Sequence, residues 1–163
     1  MYGAEPWYNN SDDQFNKWGE CAKVKNLTII DGGAQFDLPS IKDVGFMFNG
    51  CKNLTSIDVS NFDTSTVTNM ASMFSNCSNL TSIDLSNFNT NKVINMDGMF
   101  CNCLSLVEIV GTLDLTSCTN VHKMFKNCYE LKGVHLKNVP RTLDFTYIGG
   151  TEGVTYIIDN YID

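Results

Sequence analysis

Met-Phe-x-x-Cys followed three residues later by leucine occurs four times: at Met47-Phe48, Cys51 and Leu54, at Met73-Phe74, Cys77 and Leu80, at Met99-Phe100, Cys103 and Leu106, and at Met124-Phe125, Cys128 and Leu131. Successive copies lie 26, 26 and 25 residues apart. A period in the twenties belongs to units that cannot bury an apolar face alone and that stack to share one continuous core. The chain is therefore expected to form a solenoid. A stacked rod offers surface rather than an enclosed pocket, which favours binding over catalysis.

Within one unit, Leu80-Thr81-Ser82-Ile83-Asp84-Leu85-Ser86 alternates apolar and polar residues with the period of two of a short, half-buried strand. Asn87-Phe88-Asn89 then reads as a turn, with Phe88 directed into the core. Val93, Met96 and Phe100 follow at i, i+3 and i+7, the apolar stripe of two helical turns. The stripe recurs at Ile41/Val44/Phe48, Val67/Met70/Phe74 and Cys118/Val121/Phe125. Asn76, Asn102 and Asn127 precede the periodic cysteines and are expected to form a repeated structural turn. Each winding thus reads as strand, turn, short helix and return.

The ends depart from the repeat, as capping requires. Residues 1–26 are expected to be an N-terminal cap, with Phe15 and Trp18 laid over the open core. Residues 27–136 form the solenoid, and residues 137–163 a C-terminal cap. There Gly149-Gly150-Thr151-Glu152-Gly153 turns the chain into a terminal strand at Val154–Ile158, which either closes the last winding or offers an edge to a partner.

The 163 residues include 18 acidic and 11 basic ones, for a net charge of -7. The basic residues are scattered, so neither nucleic acid nor an anionic membrane surface is an expected partner. No stretch reaches the length of apolar residues that crosses a bilayer, and no membrane insertion is expected. The first 30 residues lack a basic segment followed by an apolar one, so no secretory signal is expected. Seven cysteines leave two readings. The periodic ones fit reduced, buried core positions, and stacked windings also bring them near enough to oxidise. Cys101 stands outside the ladder and is the expected exposed thiol. No zinc spacing, phosphate-binding loop, dinucleotide fingerprint or nucleophile motif is present, so no cofactor, metal or catalytic residue is expected.

Residues 44–131 resemble the BspA-type leucine-rich repeats, also described from Mycoplasma lipoprotein-like proteins. The family pattern is close to Met-Phe-x-x-Cys-x-x-Leu-Thr-x-Ile-Asp-Leu-Ser-x-Phe-Asp-Thr-Ser-x-Val-x-x-Met. Met47 to Met70 and Met73 to Met96 match almost throughout, whereas Met99 to Val121 drifts. The resemblance implies an α/β solenoid, a leucine-rich-repeat-like right-handed coil stack with short parallel strands on one face, short helices on the other and capped ends. It also implies a surface protein that adheres to host proteins or other cells. The ending from Leu136-Lys137-Asn138-Val139-Pro140 to Tyr156 is similar to that of repeat proteins encoded among virion genes of phages of Gram-positive bacteria. That likeness implies a virion protein made in the host cytoplasm.

Outward strand positions are expected to align as Ser56/Ser82/Glu108/Gly133, Asp58/Asp84/Val110/His135 and Ser60/Ser86/Thr112/Lys137. From these columns the candidate binding residues are Ser56, Asp58, Ser60, Ser82, Asp84, Ser86, Glu108, His135 and Lys137. Asp58 and Asp84 on adjacent windings repel one another, a strain that solvent, an arginine from a partner or a cation would relieve. His122, on the far side of the winding, is expected to be exposed. Trp7, Tyr8, Tyr156 and Tyr161 are candidate docking aromatics, with cap packing as their other reading. The expected function is a non-catalytic binding or structural module on a phage particle, decorating a capsid or tail and contacting a virion subunit or a host surface protein. A bacterial cell-surface adhesin that binds host proteins or glycans is the alternative.

Overall fold

In a computed structural model of the chain, the described residues are 26–28 (backbone only), 42–60, 62–150 and 154–163. They form β1 (Asn26–Thr28), β2 (Ser56–Asp58), β3 (Ser82–Asp84), β4 (Glu108–Val110), β5 (Thr112–Asp114), β6 (Gly133–Lys137), β7 (Val139–Pro140), β8 (Thr155–Ile158) and β9 (Tyr161–Ile162). Every pairing is parallel: β1 with β2, β3 with β4, β5 with β6, β6 with β8, and β7 with β9. Parallel strands in chain order require a full circuit between them, so the molecule is a solenoid of parallel strands. In β2, β3 and β4 only the central isoleucine is buried, at Ile57, Ile83 and Ile109, and its neighbours face solvent.

Inside, like sits on like. The rings of Phe48, Phe74, Phe100 and Phe125 stack at centroid distances of 5.3, 5.4 and 5.9 Å with their planes within 14° of parallel. Beside them three buried thiols each donate to a carbonyl one winding back: Cys77 to Phe48, Cys103 to Phe74 and Cys128 to Phe100, all at 3.1 Å. A core that must bury a residue next to a free carbonyl at every level thus selects cysteine, a small apolar side chain with one weak donor. The amide of Asn102 donates to Asn76 at 2.8 Å and that of Asn127 to Asn102 at 2.7 Å, which forms a third column.

The short helices expected from the apolar stripes are not found: no helix occurs among the described residues. The stripe segments are chains of turns. Alternate N–H groups bond back to the i−3 carbonyl, as from Met73 to Met70 and Ser75 to Ser72, while those between them reach the next winding, as from Ser72 to Asp97 and Phe74 to Met99. Left-handed backbone enforces this pattern. Phe46, Ser72, Gly98 and Lys123 hold φ of +60°, +54°, +59° and +55° at one register position, and Gly50, Asn76, Asn102 and Asn127 hold +77°, +62°, +63° and +62° four residues later. A right-handed helix cannot pass two such residues. The stripe nevertheless marks the core correctly, for Val93, Met96 and Phe100 are fully buried.

Two outward columns also differ from expectation. Thr112, not Val110, lies opposite His135, and Asp114, not Thr112, lies opposite Lys137. The cause is Gly111, at φ +101°, which crimps the chain between β4 and β5. A Cβ there would stand 2.8 Å from the backbone nitrogen of Ser86, so only glycine fits. The next winding runs unbroken through the five residues of β6.

Candidate functional site

β2 and β3 are neighbours, yet no strand ladder joins them. Their contact includes the N–H of Thr81 reaching the carbonyl of Thr55 at 3.4 Å, and the side-chain amide of Asn87 reaching the carbonyl of Ser60 at 2.9 Å. A groove of about 260 Å³ lies there, lined by Ile57, Asp58, Val59, Ser60, Asp84 and Asn87. It has room for a side chain and lies below the size of ordinary cofactor sites.

The two carboxylates of the groove are positioned by their own turns. Asp58 accepts from the N–H of Ser60 at 3.0 Å and Asp84 from that of Ser86 at 2.9 Å. The Ser60 N–H, then its hydroxyl, holds Asp58 below the ordinary carboxylate range, and these bonds outweigh the repulsion from Asp84. The Ser86 hydroxyl and N–H do the same for Asp84. Both side chains therefore stay ionised, exposed and on one face. Asp58, Ser60 and Asp84 meet at the groove, while Ser56, Ser82 and Ser86 are exposed beside it and Glu108 stands opposite Ser82 on the next strand. Asn87 was not singled out as a site residue. Its only signal is that of a turn former, which says nothing of the direction of its amide.

His135 and Lys137 lie farther along the stack and are engaged within the molecule. His135 Nδ1 lies 3.3 Å from the Thr112 hydroxyl and Nε2 2.5 Å from Asp159, and Lys137 is 3.5 Å from Asp114. The Thr112–His135–Asp159 string joins a hydroxyl, an imidazole and a carboxylate. It lies on open sheet, with the His135 and Asp159 side chains 40% and 48% exposed, and water is not excluded there. His122, partly exposed, lies 3.6 Å from Asp97 and edge-on to Tyr147.

Of the expected docking aromatics, Tyr156 is half-buried against Phe125, at 6.1 Å between centroids, and donates its hydroxyl to the Gly149 carbonyl at 2.8 Å. Burial pushes its phenol up to about 12. Tyr161 is exposed, with the Arg141 guanidinium 5.7 Å from its ring centroid. Trp7 and Tyr8 lie outside the described residues.

Cys77, Cys101, Cys103, Cys118 and Cys128 are free thiols, and only Cys101 among them is partly exposed. Burial pushes the thiols of Cys77 and Cys128 up to about 12 and that of Cys118 to about 11. Cys51, equally buried, is disulfide-bonded and departs from the expected run of reduced thiols. Among the described residues no three His, Cys, Asp or Glu side chains cluster as metal ligands, and no helix is long and apolar enough to cross a membrane.

No curated protein and no solved structure matches the chain. The model of a family described as "Mycoplasma protein of unknown function, DUF285" matches residues 13–138, more than half the sequence, and the chain belongs to that family.

Proposed function

We propose that the protein is a non-catalytic interaction module whose strand face binds a protein partner, with the groove between β2 and β3 receiving a cationic side chain. The observation that carries this reading is the pair Asp58 and Asp84, held ionised on the rim of a groove sized for one side chain. An arginine or lysine from a partner would relieve their mutual repulsion and gain charge-assisted hydrogen bonds. The adjoining Ser56, Ser82 and Ser86 hydroxyls suit the polar rim of such a contact, or the hydroxyls of a glycan.

The setting we propose is a phage particle, on the likeness of residues 136–156 to virion repeat proteins. A bacterial cell surface is the second reading, on the resemblance of residues 44–131 to the BspA-type repeats. Antibody against the protein should decorate purified virions in the first case and intact cells in the second. For the groove, the protein immobilised and cross-linked to its native surroundings should yield a partner joined at β2 and β3. Asp58→Asn with Asp84→Asn should abolish that cross-link while the melting temperature stays level or falls slightly, because asparagine keeps the acceptor for the Ser60 and Ser86 N–H groups but not the charge. A cross-link that survives the double substitution would place binding elsewhere.

A further inference from the structure

The seam between β2 and β3 lacks a bond that its sister seams make. The N–H of Leu85 donates to Val110 on the next winding at 2.8 Å, and that of Leu115 to Lys137 at 3.0 Å. Val59 holds the same place in its repeat, yet the matching bond to the carbonyl of Asp84 is missing, and no acceptor among the described residues takes the Val59 N–H. Val59 is 1% exposed, and a buried N–H without an acceptor is rare in folded chains. The opening is local. Behind it the same two windings are closed by bonds from Phe48 to Met73 and from Gly50 to Ser75, both at 2.8 Å. Val59 lines the groove together with Asp58 and Asp84, so a buried donor and two carboxylates border one space, and no lysine, arginine or histidine lines it. A metal ion or a small ammonium would answer the carboxylates and leave the donor unmet. A neutral carbonyl alone would do the reverse. An occupant that serves both brings a carbonyl and a cation together, as a basic residue within a peptide does.

We infer that the groove recognises a basic peptide segment of the partner rather than an isolated cation: a main-chain carbonyl of the guest accepts from the Val59 N–H while its arginine or lysine side chain lies between Asp58 and Asp84. The inference rests on the reading of the groove as a cation site and adds what must carry the cation. That reading stands if the guest carbonyl is dispensable. This one does not.

The probes are the blocked tripeptide acetyl-Ala-Arg-Ala-amide, its all-alanine counterpart, and methylguanidinium, titrated against the full chain by amide NMR. The arginine peptide should bind at least about tenfold more tightly than either of the others, shift the Val59 amide and slow its exchange. In the unliganded protein the Val59 amide should exchange faster than those of Leu85 and Leu115, which have acceptors. Asp58→Asn with Asp84→Asn should weaken the arginine peptide by about tenfold or more. Should that variant fail to fold, the three probes on the unaltered chain carry the test. Methylguanidinium that binds as tightly as the arginine peptide, with the Val59 amide unmoved, would overturn the inference and leave the cation site intact. Equal binding of the two peptides would overturn it by removing the carboxylates from recognition. Exchange at Val59 as slow as at Leu85 in the free chain would overturn it by closing the opening. A groove that no probe shifts would remove both the inference and the cation site beneath it.

Discussion

Lys123 occupies a left-handed backbone position, φ +55°, that Gly98 fills one winding earlier. The conformation costs a side-chain-bearing residue about 1–2 kcal/mol, and glycine loses about 0.5–1 kcal/mol of that in the unfolded chain. Lys123→Gly should therefore stabilise by up to about 1 kcal/mol, read as a higher urea midpoint at unchanged slope. Thiol chemistry gives a sharper residue-level test. Among the described free thiols, Cys101 alone should be alkylated in the folded protein at mildly alkaline pH, because burial raises the pKa of Cys77, Cys103, Cys118 and Cys128 and closes access to them. Mass mapping before and after denaturant reads it out. The turn aspartates set the acid limb. Asp58, Asp63, Asp84 and Asp144 each accept from the N–H two residues on and titrate below their ordinary value of 3.8. A carboxyl whose folded pKa is depressed contributes stability that is whole above its unfolded pKa and lost as pH falls through the folded one. The melting temperature should hold through mildly acidic pH and fall below about pH 4.

At the scale of the element, the phenylalanine column joins one winding to the next. Phe74 is fully buried between Phe48 and Phe100, so Phe74→Ala should cost about 3–5 kcal/mol and raise hydrogen exchange in both flanking windings together. Protection lost on one side only would contradict shared stacking. The same elements show what was legible beforehand. The alternation around Ile57 and Ile83 named the strands and their buried residue, because period two has no other common cause. Val93, Met96 and Phe100 named the core but not its backbone. Stacked turns and helices both bring such residues to one side, and only the signs of φ at Ser72, Gly98 and Asn102 separate them. Gly98 and Asn102 carried a weak left-handed signal, whereas Ser72 and Lys123 carried none. The slip at Gly111 was hidden because a single glycine marks an irregularity without giving its direction. Of the groove, Asp58 and Asp84 were readable from their repeat, but the missing ladder between β2 and β3 was not. It depends on spacing between windings rather than on residue type.

Across the molecule, described windings bond almost wholly to the windings beside them, through the same donors at the same register: Phe48 to Met73, Phe74 to Met99, Phe100 to Met124 and Phe125 to Ile148. The basic residues are less scattered than their number suggested. Lys123, Lys126, Lys132, Lys137 and Arg141 share one winding, where Lys137 and Arg141 pair with Asp114 and Asp163. Acidic stretches of sequence lie to either side, so the charge alternates in bands along the stack. The banding should show as salt-sensitive retention on both anion and cation exchangers. Interchangeable levels have a consequence for heredity. A duplication or loss in the gene that spans one whole period leaves every interface with a suitable neighbour, so reach and ligand-facing area can change in a single recombination event. Excision of residues 75–100 joins Phe74 to Cys101 and keeps the motif in register. The shortened chain should still unfold cooperatively, with a urea slope reduced in proportion to the surface removed.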